Sequence, residues 1–166
     1  LTQIYNRKYW QESLEQEYTK ARRHNKVLSL IMLDLDHFKS LNDNHGHQCG
    51  DAVLMQVSAK VSELLRLEDI FGRYGGEEFA IILPETDITG AVNAAKRICQ
   101  HIANLSFTYN GQTIKVTASL GVAQASGEES SYEELITYAD KALYQAKENG
   151  RNQVFSALSN NLITSE

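Results

Sequence analysis

Proline and tryptophan occur once each in the 166 residues, and cysteine twice. A proline-rich linker is excluded, and ten glycines without a regular period exclude a collagen-like segment. Cys49 and Cys99 match no metal or redox spacing and read as reduced thiols of a cytosolic protein. No apolar run approaches the roughly 20 residues that span a bilayer. The longest, Val27 to Leu33, is interrupted by Ser29. The first residues lack the basic-then-apolar order of a secretory signal. Positive charge is also scarce, since 16 Lys and Arg against 21 Asp and Glu leave a formal net charge of −5. Nonspecific nucleic-acid binding is a poor expectation for such a chain, so no nucleic-acid partner is expected. A small anionic ligand needs only a local gathering of cations.

What is present is the composition of a folded domain, 42% hydrophobic and 22% charged, with enough chain for one core. Asn6 to Asn25 reads as an amphipathic helix, with Tyr9, Leu14, Tyr18 and Ala21 near one face. Val27 to Leu35 reads as a strand buried on both faces, because apolar residues occupy both parities. His37 to Asn44 is a short helical or turn segment. Gly46 and Gly50 mark a loop from which Asp51 caps a helix over Ala52 to Arg66. Ile70 to Tyr74 and Phe79 to Leu83 read as strands joined by Gly75-Gly76-Glu77-Glu78, whose glycines supply the positive φ of a tight turn. A helix follows over Thr89 to Leu105. Phe107 to Tyr109 and Thr113 to Val122 form a second hairpin across Asn110-Gly111. Tyr132 to Glu148 is the last helix, ended by Gly150. Gln153 to Phe155 reads as an edge strand, and 156–166 as a polar, frayed tail. This order implies an α+β domain with an antiparallel-rich sheet. A fold of that kind does not by itself give a function.

Three groups of residues carry chemistry. Asp34 and Asp36 are two apart at a strand end and so share a face. Mg²⁺ takes oxygen ligands of this kind together with phosphate oxygens. From these two acids alone, a surfacing strand with solvated carboxylates is the simpler reading. Glu77 and Glu78 point to opposite faces if they lie on a strand, and the preceding glycines let backbone amides approach a ligand. By itself this is also a plain turn. Lys39 follows the two aspartates at the start of a helical segment, a place that suits phosphate. Asn42 and Asp51 offer the amide and carboxylate that tell guanine from adenine. His45 and His47 lack the further ligands of a zinc site.

Taken together, several stretches resemble the GGDEF family of diguanylate cyclases. They are Leu1-Thr2, Asn6-Arg7, Asp34 to Asp51, Arg73 to Phe79, Ser119 to Val122 and Ala139 to Asn152. Gly75 to Phe79 is the family signature in its glutamate form. The resemblance implies a central five-stranded, mostly antiparallel sheet surrounded by helices, akin to nucleotidyl cyclases and polymerase palms. It implies a catalytic domain over 1–155, with 156–166 as tail. It implies condensation of two GTP into cyclic di-GMP. Asp34, Glu77 and the Leu35 carbonyl match the family's ligands for Mg²⁺, with Mn²⁺ as a substitute. Glu78, with Glu77, matches the catalytic acids, and which of them is the base stays open. Asn42 and Asp51 match the guanine readers, and the backbone around Phe38 with Lys39, Lys147 and Arg151 matches the triphosphate cradle. A product with two equivalent bonds implies a homodimer, at least transiently.

Arg66-Leu67-Glu68-Asp69 stands where the family keeps its inhibitory product site, with Arg97 as a further contact. Product feedback inhibition by cyclic di-GMP is expected there, although the same motif alone also reads as a surface ion pair. Gln3 and Ile4 depart from the family's usual Gly-Leu. GTP use implies a cytoplasmic domain and leaves membrane tethering of a longer parent open. An upstream regulatory domain is expected outside this sequence. The rival readings are a silent nucleotide-binding module, a cyclase of other specificity and a dimerisation domain.

Overall fold

The computed structural model describes residues 4–158 and 163–165. Leu1-Thr2, Gln3 and the 159–162 and 166 portions of the expected tail lie outside the described residues. Helix α1 (Arg7–His24) starts at Asn6, whose side chain accepts from the Tyr9 amide at 2.9 Å, and stops at Asn25 in the left-handed region. Strand β1 (Leu28–Leu35) leads to α2 (Phe38–His45) and α3 (His47–Leu64). The hairpin β2 (Ile70–Arg73) and β3 (Glu78–Pro84) follows, then α4 (Ile88–Ala103). A small hairpin, β4 (Phe107–Tyr109) and β5 (Gln112–Ile114), precedes β6 (Ala118–Gln124), α5 (Tyr132–Glu148), β7 (Val154–Leu158) and β8 (Ile163–Ser165).

The central sheet runs β2-β3-β1-β6-β7, and the short β8 extends it at one edge. Only the β6–β7 pair is parallel. Both faces of β1 are buried, as its sequence requires. Leu28, Leu30 and Met32 pack with Trp10, Leu14 and Tyr18 of α1 and with Leu135, Ala139 and Leu143 of α5. Ile31, Leu33 and Leu35 face the opposite core, which is filled from α3 and α4. Helix α5 approaches β6 at Gly121, where a β-carbon would collide with the Ala139 carbonyl oxygen and the Leu143 amide nitrogen.

Four local expectations change. Helix α3 begins at His47 rather than Ala52, so Asp51 lies inside it and caps nothing. The break falls at Gly46, with φ +88°, and the Gly50 amide closes the first turn onto the Gly46 carbonyl at 3.2 Å. Gly75 and Gly76 do not take positive φ. Their turn is closed instead by the Arg73 guanidinium, which donates to the carbonyls of Gly75 (3.1 Å) and Gly76 (2.6 Å). The run from Thr113 to Val122 is two strands, because the Thr117 carbonyl accepts the Asp36 amide at 2.8 Å as the chain passes from the small hairpin to the main sheet. The tail continues as β7 to Leu158 and is covered by β8, so β7 is not an edge. Phe155 and Ala157 pack there against Ala142 and Ala146 of α5.

Gly121→Ala is expected to lower the unfolding free energy by about 3 kcal/mol, read from the urea midpoint at unchanged slope. Gly76→Ala, whose β-carbon would meet nothing within 4 Å, should stay within about 0.5 kcal/mol of the parent.

Candidate active site

Register gathers the acids. Asp34 stands opposite Glu78 of β3 on one side and Ser119 of β6 on the other. On β3, Ala80 and Ile82 face the α1/α5 core, so Glu78 shares their parity and that face. The Leu35 amide donates to the Glu77 carbonyl at 3.2 Å, which pins the signature turn to the end of β1. Leu35's own side chain is core. The amides of Tyr74 and Gly75 donate to the Glu78 carbonyl at 2.8 and 3.2 Å.

Asp34 is 6% exposed. Lys147, in the last turn of α5, donates to its Oδ2 at 2.5 Å. Burial pushes the Asp34 carboxyl up from 3.8 to about 6; Lys147 opposes this, while Glu77 and Glu78 add repulsion. One ammonium therefore faces three carboxylates, and the corner holds a surplus of negative charge. Hard oxygen donors with surplus charge suit a divalent cation such as Mg²⁺. Among the described residues no three acidic, imidazole or thiol groups close on one point. A cation held here would therefore need ligand oxygens from its substrate as well as from the chain.

Asp36 has a different role from Asp34. Its carboxylate accepts from Thr117 Oγ1 at 2.6 Å, Ser119 Oγ at 2.7 Å and the Asn152 amide at 3.0 Å. It is a buried tie between the end of β1, strand β6 and the loop after α5. That loop holds Arg151 and Asn152 at positive φ, and Cys99 lies beneath it. Desolvation, then Asp36, pushes the Cys99 thiol up to about 11, which keeps it inert. No local residue pattern shows the tie that Asp36 makes, because its partners lie more than 80 residues away along the chain.

The remaining candidates lie on α2, on α3 and in the loop after α5. His37, left-handed at φ 56°, turns the chain into α2, whose first amides receive no side-chain cap. Phe38 is buried and Lys39 exposed at that helix start. Asn42 on α2 packs against Gly50 of α3, where a β-carbon would strike Asn42 Oδ1, and Asp51 is the next residue, exposed. That oxygen is buried and has no hydrogen-bond partner. Arg151 is exposed just beyond Lys147.

Arg66 and Asp69 pair elsewhere, and Arg97 reaches the end of the helix that precedes them. Arg66 pairs with Asp69 at 3.2 Å and Glu68 at 3.5 Å and donates to Thr86 Oγ1 at 2.5 Å. Arg97 donates to the Leu64 carbonyl at 3.3 Å, at the end of α3. This cluster adjoins the far end of β3, which at about 3.4 Å per residue puts it roughly 20 Å from Glu78. Sequence reading missed the turn clamp by Arg73 and the contact of Arg7 with Tyr74. An arginine two residues before the signature was the one available hint of the first.

Residues 1–153 match the family described as diguanylate cyclase, GGDEF domain. The chain belongs to the GGDEF family. The probable diguanylate cyclase DgcC of Escherichia coli K12 is 38% identical over 92% of this chain and 41% of that protein. Response regulator PleD of Caulobacter vibrioides is 37% identical over 93% of this chain and 34% of its own length. The chain thus spans less than half the length of these curated relatives. Its fold matches the crystal structure of the GGDEF domain of DgcB from Caulobacter crescentus in complex with c-di-GMP. The TM-score is 0.90 and the identity 31%, over 93% of this chain and 92% of that one. Among the described residues no helix of this GGDEF domain is long and apolar enough to cross a membrane.

The two aspartates should respond oppositely to neutralisation. The folded-state pKa of Asp34, about 6, lies above its ordinary 3.8, so the fold favours the protonated acid. Its ionisation costs stability above about pH 6, and the cost is gone below about pH 4. Asp34→Asn is expected to raise the thermal midpoint at pH 7.5 in metal-free buffer, with the gain vanishing by pH 4. Asp36→Asn loses acceptors for buried donors and should cost about 2–3 kcal/mol. Melting curves across pH test both signs.

Proposed function

We propose that this GGDEF domain is a diguanylate cyclase, condensing two GTP into cyclic di-GMP with release of two pyrophosphates. The observation that carries the reading is the meeting of Asp34, Glu77, Glu78 and Lys147 at one strand end. Asp34, Glu77 and the Leu35 carbonyl are the donors for Mg²⁺ or Mn²⁺. Bound there, the cation supplies positive charge to the triphosphate and acidifies the attacking hydroxyl. Lys147 exchanges Asp34 for a phosphate oxygen, with Lys39, Arg151 and the backbone at Phe38 completing the cradle. The uncapped start of α2 and its exposed lysine support that assignment.

Asn42 and Asp51 read guanine. Support comes from the orphaned Asn42 oxygen, which a base N–H donor satisfies. A purine without matching donors leaves that oxygen unpaired, and this is a source of discrimination.

In the reaction, the 3′-oxygen of one GTP forms a bond to the α-phosphorus of the other. The bond from that phosphorus to its bridging oxygen breaks, and pyrophosphate leaves with the electron pair. The hydroxyl proton passes to a carboxylate of the Glu77/Glu78 pair. Positioning and electrostatics supply most of the acceleration. Since the product needs two such bonds related by a twofold axis, each domain is half a site and works in a homodimer, at least transiently. Arg66, Asp69 and Arg97 form the inhibitory product site, supported by guanidinium groups gathered well away from Glu78.

Purified domain at high concentration with GTP and Mg²⁺ is expected to yield cyclic di-GMP and pyrophosphate by chromatography, and Glu78→Ala to yield none. Asp51→Ser should cut the preference for GTP over ATP by about tenfold or more. Arg66→Ala should relieve inhibition by added product. GTP binding without turnover in an enforced dimer would overturn the enzyme reading in favour of a receptor.

A further inference from the structure

The Asn6-Arg7 pair plays no part in the chemistry above, yet the structure sets Arg7 against the signature turn. Arg7 is the first residue of α1, and its guanidinium lies 4.1 Å from the centre of the Tyr74 ring, with Nη2 3.2 Å from the Tyr74 hydroxyl. Tyr74 opens the turn, and its amide donates to the Glu78 carbonyl at 2.8 Å. The other side of Tyr74 is fixed as well. Its ring meets Trp10 edge to face, 5.6 Å between centroids, and Trp10 is fully buried against Gly72 of β2. Just before α1, the Tyr5 amide donates to the Phe71 carbonyl at 3.3 Å, and the Arg73 amide donates to the Tyr5 carbonyl at 2.9 Å. The entry to α1 and the base of the turn are therefore one bonded unit.

Charge points the same way. Asp140 of α5 has its carboxyl pushed up by desolvation first and then by Glu78, while Lys147 and Arg7 draw it down. Two carboxylates from different elements thus repel each other beside the turn, with two cations to screen them. Lys147 is already engaged with Asp34 at 2.5 Å. Arg7 is the second cation that draws the Asp140 carboxyl down.

We propose that Arg7 is a positioning residue. Stacked on Tyr74 and donating to its hydroxyl, it holds the signature turn in its working geometry. The role rests on the cyclase reading for its effect on turnover, but not for its effect on the turn. Arginine suits it better than lysine, because a planar guanidinium can stack and donate at once.

The test is hydrogen exchange on the intact domain without nucleotide, read at the Tyr74 and Gly75 amides, whose bonds to the Glu78 carbonyl report the turn. Arg7→Met is expected to speed their exchange by about fivefold, with the β1 and β6 amides unchanged. Arg7→Lys should recover part of the protection. Asp140→Asn in the Arg7→Met background should recover part as well, by removing the repulsion. In turnover assays Arg7→Met should lower kcat by on the order of tenfold, with the Kd for GTP within about twofold of wild type. Unchanged exchange at Tyr74 and Gly75 in Arg7→Met, or a rise shared equally by β1 and β6, would overturn the proposal. A wild-type domain that makes no product would sink the cyclase reading alone, since the exchange result stands without turnover.

Discussion

Helix α5 can reach the acidic corner only because it rides directly on the backbone of β6 at Gly121. There is no room for a β-carbon between that strand and the backbone of Ala139 and Leu143. The close seat sets the height of the helix over the sheet, and with it the position of Lys147 two turns beyond Ala139. From there the ammonium meets Asp34 at 2.5 Å. Asp36 locks the far end, since its carboxylate holds Ser119 of β6 and the Asn152 amide after the helix. Strand end, helix end and the loop bearing Arg151 are thereby fixed relative to one another before any ligand arrives. Preorganisation of this kind is what electrostatic catalysis requires.

The same device recurs at two other contacts. Gly50 lets α3 approach Asn42 of α2, so that an amide oxygen is buried there without a hydrogen-bond partner. Gly72 lets Trp10 bring α1 onto β2, just upstream of the signature turn. In these three glycines the missing side chain matters for space. Gly46, by contrast, serves a backbone turn at φ +88° between α2 and α3.

Electrostatically the site is a buried surplus of carboxylate bordered by cations from distant elements. The sheet carries the acids, because adjacent strand ends bring Asp34, Glu77 and Glu78 together. The helices carry the bases, with Lys39 on α2, Lys147 on α5 and Arg7 on α1. A net charge of −5 therefore coexists with a local gathering of cations around the acids, since local arrangement is independent of the total.

Much of this was legible in order along the chain. Apolar residues in both parities marked β1 as a central strand, helical spacing delimited α5 from Tyr132 to Glu148, and Asn110-Gly111 marked its hairpin. Local signals sufficed there because periodicity and turn chemistry act over a few residues. The family motifs named Asp34, Glu77, Glu78 and Lys147, which the fold brings to one strand end. Tertiary structure decided which partners the two buried aspartates find, because Lys147 of α5 reaches Asp34 while β6 and the loop after α5 hold Asp36. It also decided that Arg73, not glycine φ, closes the signature turn, and that the run through Thr113 to Val122 serves two sheets. Those outcomes depend on hydrogen bonds and desolvation between segments far apart in the chain, which no local pattern of residue types encodes.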